Sequence, residues 1–403
     1  NKNFLTFGNG KSYGDVCLNN KKLISMKNFN RILYFDKKNG EIEVQAGILV
    51  SDLLPEVIKE NYFLPVTAGT KFITIGGMVA NNVHGKNIKK NYFSDYITSL
   101  EIIKTNGKSI RCNKSNNYHL FKNTIGGIGL TGVIFSVRFK LKKINSIYLE
   151  KKNIFFNNLK KINEFDNISK GYDYSVSWLD SFSRPGNLKG IHFLTKHSKI
   201  KIPNFQYEIK KRKISFFHKL LFIMFSNYYL YRFVNFGFYL MHFLNFKKNV
   251  SIENFFYVQD KYIDWNKIYG KKGFIEFHIL VPKNKAINFL RKFLEFCHQN
   301  KIFSNLIVLK RLKSKKHNIN FQGDGLSISC DFIINNKFDK LVNFYIKNAK
   351  VFGYIFYFAK DSVVSKHNCK FDKKFYKFKK LIKIYNEKNK ISSKLSDRVG
   401  LTK

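Results

Sequence analysis

Asn81-Asn82-Val83-His84-Gly85-Lys86-Asn87 is the stretch of sequence that decides the fold, together with the run of small residues that leads into it. That run comprises Pro65-Val66-Thr67-Ala68-Gly69-Thr70 and Thr74-Ile75-Gly76-Gly77. Because glycine has no Cβ, Gly76 and Gly77 let backbone N–H groups approach a bulky anionic ligand. Taken alone, the stretch fits a glycine turn followed by a surface histidine equally well. Two further glycine loops favour the ligand-binding interpretation.

The first of these loops lies near the start of the chain, at Phe7-Gly8-Asn9-Gly10-Lys11-Ser12-Tyr13-Gly14-Asp15. It contains Gly-Lys-Ser, but the first glycine of a P-loop would fall at position 5, which is a leucine. We therefore exclude a P-loop. We interpret the segment as a tight turn whose amides and Ser12 hydroxyl hold a pyrophosphate.

The third loop follows residue 125 and places Gly127, Gly129 and Gly132 at the GxGxxG spacing. A dinucleotide-binding fingerprint requires a helix after these glycines. Here the next run, 133–139, is β-branched and aromatic, which is typical of a strand. We therefore reject a Rossmann site and expect the glycines to let the backbone pass close to a flat ligand.

The chain has 403 residues, enough for two or more domains with substantial cores. Its five cysteines form an odd set without a CxxC pair, which argues against a disulfide framework and against a zinc site. We accordingly expect a reducing compartment and no bound metal. Residue 1 is asparagine and no signal-peptide pattern follows it. We therefore expect a fragment or a processed form whose first domain lacks its N-terminal part.

The formal net charge is +45, and a surface of that sign attracts phosphates, nucleic acids and anionic membranes. Lysine is spread over the whole length, however, and the sequence has no arginine-rich arm or dense basic block. We therefore do not expect nucleic acid as a partner. Attraction to anionic surfaces follows from the charge itself.

Hydrophobic periodicity predicts a mixture of strands and helices. Strands are expected at 23–26, 41–44, 97–103, 109–111, 172–180, 273–281, 326–333 and 354–358. Helices are expected at 50–60, with Ser51 as the N-cap, at 286–298, at 339–349 and in a basic tail from residue 370. Beyond about residue 142 these elements predict an α+β domain in which helices cover one face of a sheet.

The segment at about 214–248 is intensely apolar and aromatic, with Arg232 near its middle. Neither half of it reaches the roughly 18 uncharged residues that a membrane-spanning helix needs. Two interpretations remain, burial in the core or a position on a membrane surface. The second is favoured, because tyrosine and phenylalanine lie between the basic residues Lys219, Arg232, Lys247 and Lys248.

A series of short motifs extends over nearly the whole chain. The first half contains Gly8 to Asp15, Gly69-Thr70, Thr74 to Gly77, His84 to Asn87 and Gly129-Leu130-Thr131-Gly132. The second half contains Ser177-Trp178-Leu179-Asp180, Asp264-Trp265-Asn266, Tyr269-Gly270, Tyr357 to Ser362 and Leu395 to Leu401. In this order they resemble the FAD-binding fold of the vanillyl-alcohol-oxidase superfamily and, within it, the decaprenylphosphoryl-ribose oxidases.

The resemblance implies an α+β fold in three segments. Residues 1–145 would form a two-lobed PCMH-type FAD-binding domain. Residues 146–353 would form an α+β substrate domain with an antiparallel sheet, and residues 354–403 would return to the FAD-binding domain.

The resemblance also implies the site residues. Cofactor binding falls to Gly8, Asn9, Gly10, Lys11, Ser12, Tyr13, Gly69, Thr70, Thr74, Ile75, Gly76, Gly77, Asn81, His84, Gly85, Ile134 and Tyr357. Catalysis falls to Lys360, Tyr13, Lys310 and His278, and substrate contact to Trp178, Glu276, His278, Ser329 and Asp331. Lys360 would lie beside the flavin ring and the sugar hydroxyl. By itself it is one more lysine in a lysine-rich chain, but the apolar run 354–359 before it favours partial burial.

Three positions depart from the family pattern. Related oxidases that bind flavin covalently carry a histidine where this chain has Lys11, so the resemblance implies noncovalent FAD. A pair of glutamines is replaced by Glu276 and His278, and the cysteine of the active-site strand is replaced by Ser329. These changes bear on the identity of the sugar rather than on the redox chemistry.

The activity implied is FAD-dependent oxidation of a secondary hydroxyl, at C2, of a polyprenyl-phosphate-linked pentose. This reaction would be the first half of a two-enzyme epimerisation in cell-envelope polysaccharide synthesis, with an NAD(P)H-dependent short-chain reductase as partner. Two alternatives stay open, an oxidase of soluble sugars, sugar acids or lactones, and a flavin-binding or basic interaction protein without turnover. We expect a cytoplasmic protein bound peripherally to the inner face of the cell membrane, or a periplasmic one if it is exported.

Overall fold

The computed structural model describes residues 3–199, 212–213, 218–244, 249–314, 321–369 and 373–403, which form a mixed α+β structure. The strands are β1 (Leu5–Phe7), β2 (Leu23–Ser25), β3 (Ile32–Asp36), β4 (Glu41–Gln45), β5 (Tyr62–Phe63), β6 (Ile97–Ile103), β7 (Ser109–Asn113), β8 (Val133–Lys140), β9 (Lys142–Lys143), β10 (Tyr148–Phe156), β11 (Tyr174–Leu179), β12 (Gly190–His197), β13 (Arg212–Lys213), β14 (Asn249–Ser251), β15 (Tyr262–Ile263), β16 (Phe274–Pro282), β17 (Leu306–Leu312), β18 (Gly325–Ile333) and β19 (Ile355–Phe356). The α-helices are α1 (Val50–Lys59), α2 (Ile75–Ala80), α3 (Tyr118–Thr124), α4 (Phe165–Ile168), α5 (His218–Ser226), α6 (Tyr228–Leu244), α7 (Ile252–Phe256), α8 (Lys283–Gln299), α9 (Phe338–Phe352), α10 (Lys366–Cys369), α11 (Lys373–Tyr385) and α12 (Lys394–Arg398).

The N-terminal part is built on a five-stranded antiparallel sheet in the order β3-β4-β8-β6-β7. β6 and β7 are joined at Asn106-Gly107, where Gly107 has a φ of 83°, and the predicted hairpin is confirmed. The strand predicted after the GxGxxG glycines is also confirmed, as β8. Helices α1 and α2 contribute Leu53, Leu54, Val57, Met78 and Val79 to the hydrophobic core that covers this sheet.

The second sheet has eight strands in the order β14-β10-β12-β11-β17-β18-β16-β19, all of them antiparallel. Helices α8 and α9 share a core with this sheet, and Ile275, Phe277 and Ile279 of β16 belong to that core. Because side chains alternate between the two faces of a strand, Glu276 and His278 lie on the opposite face. The strand register therefore decides which polar groups meet in front of the sheet.

Two local predictions are wrong. Leu49, not Ser51, is the N-cap of α1, and no side chain caps this helix. The N–H groups of Val50 and Ser51 donate instead to the carbonyls of Ile73 and Lys71, so the helix start needs no capping hydroxyl. The strand expected at 354–358 is limited to β19, because a turn follows in which the N–H of Lys360 donates to the carbonyl of Tyr357.

The C-terminal residues return to the start of the chain. The N–H of Phe4 donates to the carbonyl of Lys390, and the N–H of Ser392 donates to the carbonyl of Phe4. A third buried cluster joins residues near both ends, namely Leu5, Val16, Ile128, Leu130, Val364, Cys369, Phe375, Phe378, Ile382, Ile391, Leu395, Val399 and Leu401. The last helix is thus packed against the first glycine loop.

The aromatic segment forms α5 and α6. Asn235 of α6 is buried and donates to Asp180 Oδ1 at 2.7 Å, whereas Phe233 is 73% exposed. Within the described ranges, no helix combines the length and the apolarity needed to cross a bilayer. Of the predicted basic flanks, Arg232 is exposed, while residues 247 and 248 and the side chain of Lys219 lie outside what the structure describes.

Candidate functional site: a cavity between glycine loops and a sheet

A cavity of about 760 Å³ lies between the N-terminal glycine loops and the eight-stranded sheet. We call segments 8–13, 69–77 and 81–84 the glycine-loop wall, since most of their residues line the cavity from one side. The opposite side, which we call the sheet wall, consists of Glu276 and His278 from β16, Lys310 from β17, and Ser329 and Asp331 from β18.

The glycine-loop wall is tightly packed against the protein and open toward the cavity. A Cβ on Gly8 would lie 2.4 Å from Thr74 Oγ1, and a Cβ on Gly76 would lie 2.8 Å from the Cβ of Ala46. A Cβ on Gly69 would meet no atom within 4 Å. The loops therefore stack on one another while leaving free space in front of Gly69, as a bulky ligand requires.

Unpartnered polar atoms on the same wall also point to a ligand. Both ring nitrogens of His84 are buried without a hydrogen-bond partner among the described residues, and so is Oδ1 of Asn81. A buried polar group that lacks a partner is costly, so these atoms are best explained by a ligand that bonds them. Adjacent small residues and unpartnered amide and imidazole groups fit a large, flat, polar cofactor such as FAD.

Lys360 lies where the two walls meet, just after β19. Its Nζ is 3.2 Å from Glu276 Oε2 and also 3.2 Å from the centre of the Tyr13 ring. The other oxygen of Glu276 accepts a hydrogen bond from Ser329 Oγ at 2.7 Å and lies 3.0 Å from Nδ1 of His278. The ammonium group of Lys360 is thus ion-paired and held over an aromatic ring.

The pKa values of the two carboxyl groups of the sheet wall are shifted in opposite directions. Burial alone would raise the pKa of Glu276, but Lys360, His278 and Ser329 hold that pKa well below its usual range. Burial raises the pKa of its cross-strand neighbour Asp331 well above the usual range, and the charge of Glu276 raises it further. Neighbouring carboxyls in a dry site rarely both ionise, and here Glu276 carries the charge.

Burial shifts two lysines and two histidines of the cavity toward their neutral forms. Burial lowers the pKa of Lys310 to about 8. Burial, reinforced by the charge of Lys310, lowers the pKa of Lys86 to about 7. Burial also lowers the pKa of His84 and of His278, so both imidazoles are neutral near pH 7. The site therefore combines neutral imidazoles with two lysines, Lys86 and Lys310, whose protonated forms a bound anion would favour.

One end of the cavity is aromatic. Phe238, Met241 and His242 of α6 line it together with Trp178 and Phe193 of the sheet. The rings of Trp178 and Phe238 are 4.9 Å apart, and those of Phe193 and His242 are 5.2 Å apart. We call this region the aromatic end.

The structure brings almost all predicted site residues to one cavity. Tyr13, Trp178, Glu276, His278, Lys310, Ser329, Asp331 and Lys360 all line it, as do Gly8, Asn9, Gly10, Lys11, Ser12, Gly69, Thr70, Thr74, Gly76, Gly77, Asn81, His84, Ile134 and Tyr357. Ile75 and Gly85 do not: Ile75 is part of the hydrophobic core, and Gly85 is buried against Asn87 and Val66.

Two sets of cavity residues escaped the sequence analysis. Lys86 received no role, although it directly follows the His84-Gly85 pair, and that position is the signal that could have marked it. Phe238, Met241 and His242 follow helical spacing, but the sequence gives no sign that this face of α6 meets the cavity.

Comparison with known proteins agrees with the geometry. Residues 1–113 match the family described as a FAD binding domain. The chain is similar to decaprenylphosphoryl-beta-D-ribose oxidase of Mycolicibacterium smegmatis, with 25% identity over 368 residues that cover 88% of this chain and 80% of that protein. It is also similar to L-gulonolactone oxidase of Mus musculus, with 30% identity over 137 residues, or 34% of this chain and 31% of that enzyme. A putative D-arabinono-1,4-lactone oxidase of Neurospora crassa is 30% identical over 135 residues, or 34% of this chain and 24% of that protein.

Likeness to the lactone oxidases thus covers about a third of the chain, whereas likeness to the ribose oxidase extends over most of it. With an N-terminal FAD-binding domain beside a large antiparallel sheet, the chain is a FAD-dependent oxidoreductase that is similar to the PCMH-type FAD-binding oxidases and distantly homologous to decaprenylphosphoryl-ribose oxidase and to the sugar-lactone oxidases.

Proposed function

We propose that this protein oxidises a secondary hydroxyl, at C2, of a polyprenyl-phosphate-linked pentose to a ketone. The observation that carries the proposal is the ion pair of Lys360 with Glu276 in the same cavity as the glycine-loop wall. A polar, charged centre beside a cofactor site is what oxidation of an alcohol needs, because the hydroxyl oxygen must be oriented and its proton removed.

The glycine-loop wall would hold noncovalent FAD, and the cofactor would supply the two-electron oxidising chemistry for the carbinol carbon. Lys360 donates a hydrogen bond to the hydroxyl oxygen and fixes its orientation, while Glu276 holds the ammonium group in place. A neutral ring nitrogen of His84 accepts the hydroxyl proton, since burial keeps this imidazole uncharged and both of its nitrogens lack a hydrogen-bond partner among the described residues. The aromatic rings around the centre exclude water from these polar groups.

The shape and charge of the cavity support a lipid-linked sugar phosphate as substrate. Lys86 and Lys310 provide cationic groups for a phosphodiester, beyond the Lys360–Glu276 pair. The aromatic end provides an apolar surface for the start of a polyprenyl chain. The mycobacterial relative named for a decaprenylphosphoryl ribose is similar over most of its length, which supports the same class of substrate here.

We further propose that the keto product is reduced by a separate NAD(P)H-dependent short-chain reductase, and that the two enzymes together epimerise the sugar for cell-envelope polysaccharide synthesis. The GxGxxG glycines run into strand β8 rather than a helix, so they offer no nicotinamide site. This chain would therefore oxidise without being able to complete an epimerisation.

We also propose that α5 and α6 rest on an anionic membrane at the inner face of the cell membrane. Exposed apolar side chains, among them Phe233, Phe236, Phe243 and Leu244, lie on α6 beside exposed Arg232, and other residues of the same helix line the cavity. Co-sedimentation with vesicles should require anionic lipid and weaken with added salt; binding that is indifferent to both would contradict the proposal.

An oxidase of soluble sugars or aldonolactones is the second candidate. It is favoured by the 30% identity to L-gulonolactone oxidase, which exceeds the identity to the ribose oxidase although it covers far less of the chain.

Anaerobic flavin reduction separates the two candidates. Acid precipitation should first release the flavin to the supernatant, because it is bound noncovalently. In the intact protein, the bound flavin should be reduced by lipid-phosphoribose much faster than by free ribose or aldonolactones. With lipid-phosphoribose and an electron acceptor, the 2-keto product should accumulate, and the arabino epimer should appear only after a reductase and NADH are added. Preferential reduction by the lactones would establish the second candidate, and epimer formed without the reductase would contradict the two-enzyme proposal.

A further inference from the structure

We propose that Arg398, near the C-terminus, is a positioning residue that sets the spacing between Tyr13 and Lys360 in the cavity. The inference rests on the proposed function, because it concerns the geometry around the hydroxyl-orienting lysine. We call Asp15, Asp361 and Arg398 the C-terminal clasp.

The clasp joins three distant segments through one guanidinium group. Arg398 Nε and Nη2 donate to the two carboxylate oxygens of Asp15 at 2.9 and 2.7 Å. Nη1 and Nη2 both donate to Asp361 Oδ2 at 3.1 Å, and Nη1 also donates to the carbonyl of Val364. The planar fork of arginine thus holds two carboxylates at once, which a single ammonium point charge cannot do.

The two carboxylates are adjacent in sequence to the cavity residues. Asp361 directly follows Lys360, and Asp15 lies two residues after Tyr13. Lys360 Nζ lies 3.2 Å from the centre of the Tyr13 ring, so the two segments bring these side chains into direct contact. A shift of either segment therefore moves one wall of the cavity relative to the other.

Gly14 shows how closely the two segments approach. A Cβ at this position would lie 2.0 Å from the carbonyl oxygen of Asp361, a separation that no side chain tolerates. The backbones of segments 13–15 and 360–362 are therefore in van der Waals contact, with Arg398 bridging them from the side.

Both ends of the clasp make further hydrogen bonds that do not involve the guanidinium group. Asp361 is buried and also accepts from the N–H groups of Val363 and Val364. Arg398 ends α12, whose N-cap Ser393 makes a reciprocal capping box with Ser396. Because these bonds remain without the guanidinium, its loss should release segments 13–15 and 360–364 from one another without unfolding the domains.

The test compares Arg398→Lys and Arg398→Gln with Arg138→Lys as matched control. Arg138 also holds a carboxylate through two nitrogens, with Nε and Nη2 at 2.9 and 2.8 Å from Glu43, but it belongs to the five-stranded sheet and does not line the cavity. Both Arg398 variants should keep their flavin and substrate affinity while the rate constant for flavin reduction falls about 10- to 100-fold, since small misplacements in an active site have effects of that size.

Hydrogen exchange provides a readout that does not depend on the substrate. Amides at 361–365 should exchange faster in both Arg398 variants and at the wild-type rate in Arg138→Lys. Full activity in Arg398→Lys would show that positive charge alone suffices and would overturn the positioning role, as would unchanged exchange. If the wild-type protein oxidised none of the sugars while exchange still rose, the proposed function would fail and the clasp would stand as a structural link.

Discussion

The glycine-loop wall and the sheet wall face the same cavity and are built on opposite principles. The glycine-loop wall leaves free space in front of Gly69, and polar atoms of Asn81 and His84 there lack hydrogen-bond partners among the described residues. The sheet wall offers crowded side chains that already bond one another, such as Glu276 with Ser329 at 2.7 Å. The first wall is therefore a ligand-binding surface, and the second wall is a preformed polar centre.

This difference separates binding from chemistry. Changes in the glycine-loop wall should alter whether the cofactor is held, whereas changes at the polar centre should alter how fast it is reduced. Each of the following predictions asks whether the two walls can be disabled independently.

The largest effect is expected for Lys360→Met, which keeps most of the side-chain length and removes the charge. We expect flavin to remain bound while its reduction by substrate slows at least about 100-fold, because a positioned donor or acid–base group contributes that much. Rapid anaerobic mixing with lipid-phosphoribose measures the rate constant.

Lys142→Met is the matched control for that variant. Lys142 also pairs with a carboxylate, with 2.9 Å between Nζ and Asp173 Oδ1, and also lies over a tyrosine ring, that of Tyr174 at 4.5 Å. It does not line the cavity. An equal loss of rate in both variants would mean that Lys360 acts only through general stability and would place it outside the reacting centre.

A smaller effect, on flavin binding rather than on flavin reduction, is expected for Gly69→Val in the glycine-loop wall. A Cβ at this position would meet no atom within 4 Å, so the melting temperature without cofactor should stay unchanged, while flavin content falls about tenfold because the side chain occupies the space of the ligand. Absorbance of the purified protein measures flavin content. Gly186→Val is the control, since a Cβ there also meets no atom within 4 Å but lies away from the cavity. Full flavin content in Gly69→Val would mean that the cofactor does not lie against this wall.

The two walls also differ in how far the sequence predicted them. The glycine-loop wall was recognisable because clustered glycines mark places where the backbone turns tightly or approaches a ligand closely. The rejection of a Rossmann site at residues 127–132 needed only the β-branched run that became β8. The partners on the sheet wall depend on the register of β16 against β18, which pairs Glu276 with Asp331 and His278 with Ser329. No local pattern determines that register, so these residues were found by resemblance. The opposite pKa shifts of Glu276 and Asp331 were not predicted.

Tertiary contacts account for the remaining differences. Ser51 was predicted as an N-cap from residue type alone, but backbone carbonyls of residues 71 and 73 satisfy the helix start. Lys86 and the inward face of α6 were missed because only the folded chain shows that Phe238 and Met241 meet Trp178 around one cavity.

The smallest effect concerns pH and tests whether Lys86 and Lys310 bind an anion in the cavity. The pKa of Lys86 is lowered to about 7 and that of Lys310 to about 8, so raising the pH from 7 to 9 removes positive charge from the cavity. Affinity for lipid-phosphoribose should therefore fall several-fold over this range, by at most about tenfold per pH unit for each proton lost, and Lys310→Met should flatten the upper part of the curve. The free energy of unfolding should change in the opposite direction. Each of these lysines has a lower pKa in the folded state than in the unfolded state, so between about pH 8 and the ordinary pKa near 10.4 the unfolded state binds more protons. The contribution of such a lysine to the free energy of unfolding therefore rises with pH in that range. Weaker binding without weaker folding would thus mark loss of a cationic subsite, and a neutral aldonolactone should show no such trend. If the neutral ligand weakened in parallel, the lysines would not be recognising a phosphate, and the second candidate function would gain.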